Sequence, residues 1–258
     1  MDKGADIGFI GTGVITSALV TGFCSGGDLG HRIHLSPRNA ERAAALAERF
    51  ESVSVARSNQ EVLDRSEWVV LAVVPRIGEE VVRPLTFRAD HRVVNLMADR
   101  KLPEIARWIG KTRTLVHLVP LPFAARRVGP IALYPPDGDA SALFSALGRV
   151  VAVDDPRRIE VLAAVTALMA SFHTLLWEVV KWGEGEGLSR KEALDYSAAF
   201  FEALSAQARE VEGGDIGRLA GEMTPGGLNE MALCAIRDRG GIESFVRALG
   251  PVLARLRK

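Results

Sequence analysis

The residues whose types and spacing suggest chemistry stand early in the chain, in "IGFIGTGVITSAL", residues 7–19. The apolar run Ile7–Ile10 leads into Gly11-Thr12-Gly13, and a helical pattern follows with Ile15, Ala18, Leu19, Gly22 and Phe23 on one face. Strand, glycine turn and helix in that order form a dinucleotide site. Gly11 permits the tight turn, and Gly13 lets the backbone approach a pyrophosphate. The helix amino terminus adds free amides and the positive end of its dipole. The third small position of the pattern is Thr16, which predicts a looser contact between helix and strand without loss of the turn.

The next strand selects the nucleotide. An NAD site carries Asp or Glu about 20 residues beyond the glycines, to accept from the ribose 2′-hydroxyl. Here the strand Arg32–Leu35 ends in Ser36-Pro37-Arg38-Asn39, with no carboxylate, and Asp28 precedes the strand. The Ser36 hydroxyl and the Arg38 guanidinium suit a 2′-phosphate, so NADP(H) is expected over NAD. Late in the chain, Gly226 and Gly227 allow the amino terminus of the following helix to approach an anion. Alternatively, Thr224-Pro225-Gly226 only caps and turns into that helix. His173 lies on a largely apolar helix, either as a proton donor or as a hydrogen-bonded interior histidine. No Ser-His-Asp order, Walker loop or metal-ligand spacing supports another chemistry.

The elements that must position these groups change style along the chain. Apolar runs at Ile7–Ile10, Arg32–Leu35, Ser52–Val55, Trp68–Val73, Arg92–Leu96, Thr114–Val119 and Arg149–Val153 alternate with helical patterns. Repeated βα units predict an α/β Rossmann fold, a doubly wound parallel sheet, over 1–154. From 155 to 258 the strands stop. One long helix is expected through Ile159, Leu162, Val165, Met169, Phe172, Leu176 and Val179, then helices over 189–211, 226–238 and 242–256. An all-α domain with so little polar interior predicts association with a second copy, as a homodimer or larger assembly, with an ordinary monomeric bundle as the alternative.

Composition narrows the class. The 258 residues are 48% hydrophobic and 25% charged, as in globular domains, and Lys+Arg equals Asp+Glu at 32 each. That balance provides no general field for nucleic acid or acidic membranes. No apolar run is read as long enough to cross a bilayer, and the first strand begins too early for a signal peptide. With two distant cysteines, Cys24 and Cys234, a cytoplasmic protein is expected.

Taken together, these segments resemble the pyrroline-5-carboxylate reductase family over nearly the whole chain. "IGFIGTG" is similar to the family opening, although Val14-Ile15 replaces the usual Asn-Met. "LSPRNAERA" resembles its NADP-contacting turn. Asn59 and Ala72-Val73-Val74-Pro75 are similar to its cofactor-lining segments, with Val74 in place of Lys. "EMTPGGLNEMAL" resembles the segment that caps the substrate. The resemblance implies a helical dimerisation domain and NAD(P)H reduction of a small cyclic imine, pyrroline-5-carboxylate, to proline. It implies cofactor contacts from Gly11, Thr12, Gly13, Val14, Ile15, Ser36, Arg38, Asn59 and 72–75. Thr224 and Asn229 then fall at carboxylate-binding positions, and Pro120, Leu121, Gly226, Gly227 and Leu228 border the substrate. The family's Met-Pro-Asn is here Val119-Pro120-Leu121, its Ser-Gly-Ser-Gly-Pro-Ala-Tyr runs through Phe172-His173, and its paired threonines are Leu228-Asn229. These departures leave a different imine or carbonyl substrate, or a non-catalytic NADP-binding module, as alternatives.

Overall fold

Each short apolar run becomes a strand because both faces of its sheet are covered by helices. The computed structural model describes residues 4–25 and 30–257, so Asp28 lies outside the described residues. Eight strands form one sheet: β1 (Asp6–Ile10), β2 (Arg32–Leu35), β3 (Val53–Val55), β4 (Trp68–Leu71), β5 (Arg92–Asn95), β6 (Thr114–Val119), β7 (Pro130–Tyr134) and β8 (Arg149–Ala152). Their order is β3-β2-β1-β4-β5-β6-β7-β8. The helices between them are α1 (Val14–Cys24), α2 (Ala40–Arg49), α3 (Asn59–Asp64), α4 (Gly78–Val82), α5 (Leu102–Ile109) and α6 (Gly138–Ser145).

The first six strands are parallel, as expected, but β7 pairs with β6 antiparallel and β8 follows β7 in that reversed direction. The doubly wound, mostly parallel sheet is as expected, and β7 with β8 forms its reversed edge. The link from Val119 to Pro130 holds only a 3-10 turn, Pro122–Arg126, and no full crossover helix, so the chain doubles back. Strand alternation sends Ile7 and Phe9 to one face, with Phe23 and Phe144, and Ile10 to the other, with Leu63, Met97 and Ile105. A bidentate Arg32–Asp6 pair joins the β1–β2 register at the amino ends of the strands.

The chain divides into two compact units. One runs to Ala163 and regains the chain at Leu256; the other is Ala164–Arg255. The helices from 156 onward are α7 (Pro156–Thr166), α8 (Met169–Gly185), α9 (Arg190–Glu210), α10 (Gly217–Gly221), α11 (Leu228–Asp238) and α12 (Gly241–Leu256). The single long helix expected over 159–179 is therefore two. At Ala167 and Leu168 the amides bond three residues back, to Ala164 and Val165, and the α-helical ladder is interrupted. Taken as one stretch, Pro156–Gly185 is long and apolar enough to cross a membrane by length and composition, contrary to the reading that no run reaches that length. α9 starts with a capping box, Ser189 to the Glu192 amide and Glu192 back to the Ser189 amide.

Candidate active site

The glycine turn lies at the carboxyl end of β1, between β2 and β4. Gly11 has φ +103°, and a Cβ there would meet the Ala72 carbonyl oxygen at 2.6 Å. Only glycine satisfies both the left-handed backbone and this approach of the β4 end. At Gly13, by contrast, an added Cβ meets nothing within 4 Å. The space above the turn is open, and Gly13 caps α1 with no side chain on the free amides. The residues present fit a pyrophosphate.

Thr16 resolves the irregular third position. It is fully buried, and its hydroxyl donates to the Gly11 carbonyl at 2.7 Å. The extra bulk is absorbed by a hydrogen bond that closes the turn onto the helix. Ser36 performs a related task from β2. Its hydroxyl accepts from the Gly11 amide at 2.8 Å, and the Thr12 hydroxyl donates to the Ser36 carbonyl at 3.0 Å. Ser36 is 1% exposed and Thr12 3%, so both hydroxyls face inward and brace the turn. Arg38, two residues on, is exposed and has no partner among the described residues. Val14 is 65% exposed on the first turn of α1, with Ile15 half-buried beside it.

The segment after β4 is held from a distance. Arg100 donates to the Pro75 carbonyl through Nε at 3.1 Å and Nη2 at 3.0 Å, and through Nη1 to Glu104. The buried Asn95 amide donates to the Arg100 carbonyl and so shapes the loop that presents Arg100. Val74, 57% exposed, stands beside this clamped carbonyl, and Ala72 and Val73 are half-buried. Asn59 is half-buried at the first position of α3, which Ser58 caps through the Glu61 amide. Pro120 and Leu121 follow β6, and the 3-10 turn after Leu121 lies against α1, where a Cβ on Gly22 would meet the Ala124 carbonyl oxygen at 2.2 Å.

In the second unit, Thr224-Pro225-Gly226-Gly227 forms the turn that opens α11. Gly226 has φ +71°, and the Gly227 amide donates to the Thr224 carbonyl at 2.8 Å. Gly227 caps α11 without a side-chain bond. Glu230, however, reaches back and accepts from the Gly226 amide at 2.6 Å. Part of the expected anion site thus carries a carboxylate of the chain itself. Thr224, Asn229 and Leu228 are exposed, Leu228 at 80%. His173 is also exposed in the single chain, on α8 beside the Phe172 ring. Sequence reasoning missed Arg100, Asn95 and Glu230. Only Glu230 left a local signal, a carboxylate in the first turn of a helix with a glycine cap.

A sheet with its glycine turn at the first βα junction, open helix amides above Gly13 and a following helical unit define a Rossmann-type oxidoreductase using a nicotinamide nucleotide. Residues 6–99 match the family model described as NADP oxidoreductase, coenzyme F420-dependent. Pyrroline-5-carboxylate reductase of Pseudomonas aeruginosa is 29% identical over 246 residues, covering 91% of this chain and 89% of the relative. The 1-pyrroline-5-carboxylate reductase of Streptococcus pyogenes superposes with a TM-score of 0.83 at 19% identity over 98% of both chains. Pyrroline carboxylate reductase of Plasmodium falciparum, solved with NADP bound, gives 0.81 at 13% identity over 98% and 97%. Over nearly its whole length the chain is thus similar to pyrroline-5-carboxylate reductases.

Proposed function

We propose that this protein is an NADPH-dependent reductase that converts pyrroline-5-carboxylate to L-proline as a cytoplasmic homodimer. The observation that carries the reading is the formation of both family segments within one full-length likeness: the Gly11–Gly13 turn and the Thr224–Gly227 opening of α11. When bound, the nicotinamide supplies hydride to the C=N carbon. The chain's part is to bind, orient and protonate. Amides at the start of α1 hold the pyrophosphate, with Ser36 and Thr12 fixing their turn. Arg38 binds the 2′-phosphate and makes NADPH the preferred form. Asn59 and the 72–75 segment, with Pro75 clamped by Arg100, line the rest of the nucleotide.

On the substrate side, Thr224, Asn229 and the Gly226-Gly227 amides hold the carboxylate, and Pro120, Leu121 and Leu228 pack the ring. His173, the histidine of the second unit, gives the proton to the imine nitrogen. The homodimer reading rests on the poverty of that unit's interior. Between 164 and 255 the buried residues are Ala164, Val180, Gly183, Ala193 and Ser197, while Trp182 is 68% and Tyr196 76% exposed. Two free cysteines fit a reducing cytoplasm. NADPH oxidation on addition of pyrroline-5-carboxylate tests the reading. Proline formed in step with NADPH consumption is expected. Cofactor binding without turnover would leave the chain a binding module, and turnover confined to other cyclic imines would replace the substrate.

A further inference from the structure

The first unit also holds a cavity of about 170 Å³ on the sheet face covered by α5 and α7. Its walls include His117 and Val119 of β6, Tyr134 of β7, Ile159 and Ala163 of α7, and Leu256. His117 and Tyr134 are register partners across the antiparallel pair, so their side chains stand together on the same face. His117 is 8% exposed, and its Nε2 is buried with no hydrogen-bond partner. Neither the other ring nitrogen nor the Tyr134 hydroxyl has a partner among the described residues. A buried imidazole nitrogen left without a partner inside a folded chain is unfavourable, and a leucine would fill that position without the burden; the half-buried Tyr134 places a hydroxyl beside it.

Four charged residues border the cavity. Glu160 pairs with Arg257 at 3.5 Å, Arg100 is committed to Glu104 and the Pro75 carbonyl, and Asp99 and Lys101, of opposite sign, are exposed. The remaining wall is apolar, which selects against a charged occupant. In size, an apolar cavity of about 150 Å³ accepts one benzene-sized ring. We propose that this cavity is a second small-molecule site, for an uncharged single-ring compound whose hydroxyl or carbonyl bonds His117 and Tyr134. It shares no residue with the glycine turn, Arg38, Pro120-Leu121 or the Thr224–Asn229 segment.

Phenol, with toluene as its hydroxyl-free counterpart, is the probe, titrated by calorimetry and ligand-observed NMR into the full chain with and without saturating NADPH. Saturable one-to-one binding of phenol is expected, unchanged by NADPH. His117→Leu and Tyr134→Phe should each weaken phenol at least fivefold and leave toluene within twofold. Ile159→Trp, which fills the space from α7, should abolish binding of both. Absence of saturable phenol binding, displacement by NADPH, or equal phenol affinity in His117→Leu and Tyr134→Phe would overturn the site. None of these readouts requires turnover, so the test is separate from that of the reductase reading.

Discussion

Ser36 and Arg38 stand two positions apart and do different work. Ser36 is buried and accepts from the Gly11 amide, so Ser36→Ala should lower stability by about 1–2 kcal/mol and weaken NADPH and NADH alike. Arg38 is exposed and uncommitted, so Arg38→Ala should weaken NADPH roughly tenfold or more and leave NADH nearly unchanged. Parallel titrations of both nucleotides against both variants check the division; equal losses for Arg38→Ala would remove the basis for preferring NADP. His117 carries a separate prediction. Burial pushes its imidazole down to about 4 from the ordinary 6.5, so the unfolded chain takes up a proton before the native state does. Stability should rise with pH between about 4 and 6.5, by up to roughly 3 kcal/mol, and be flat in this group above that window. Burial lowers His34 and His91 as well, in the same direction. Thermal melts at pH 5 and 7 should therefore show a smaller pH dependence in His117→Leu than in the parent chain, and equal slopes would contradict the assignment.

At the scale of elements, the two helix starts differ in what already occupies them. α1 opens above Gly13 with nothing over its amides, whereas at α11 the Glu230 carboxylate sits on the Gly226 amide. Under the proposed function, a substrate carboxylate at α11 has to compete with Glu230. Glu230→Gln should accordingly lower the KM for pyrroline-5-carboxylate roughly two- to fivefold, with kcat little changed, as expected for removing one charge at a helix amino terminus. Steady-state kinetics decide, and a raised KM would show that Glu230 organises the turn. The strands β1 to β6 were legible because parallel, doubly covered strands read as unbroken Val, Ile and Leu runs. Two features were not. The reversal at β7 depends on a 3-10 turn with no periodic signal, and the break between α7 and α8 falls at Ala167-Leu168, with neither Gly nor Pro to mark it. The Arg100–Pro75 clamp joins positions 25 apart and leaves no local pattern.

At the scale of the molecule, the helical unit exposes Phe172, Trp177, Trp182, Phe200 and Leu228 while burying almost nothing of its own. Light scattering on the purified chain should return twice the monomer mass, and Trp182→Glu with Phe200→Glu should shift it to one. A monomer in the parent chain would instead leave this apolar face, including the membrane-length stretch 156–185, to another partner. The cofactor half was readable because the glycine turn, the residues after β2 and the strand ends are local in sequence. The substrate half was less so, since Thr224, Asn229 and His173 acquire meaning only through their surroundings. The most direct measurement of the central claim is isotope transfer. With NADPH carrying deuterium at both C4 positions and pyrroline-5-carboxylate as substrate, the proline formed should contain one deuterium, at C5. Unlabelled proline, or none, would contradict a hydride-transferring reductase of this imine.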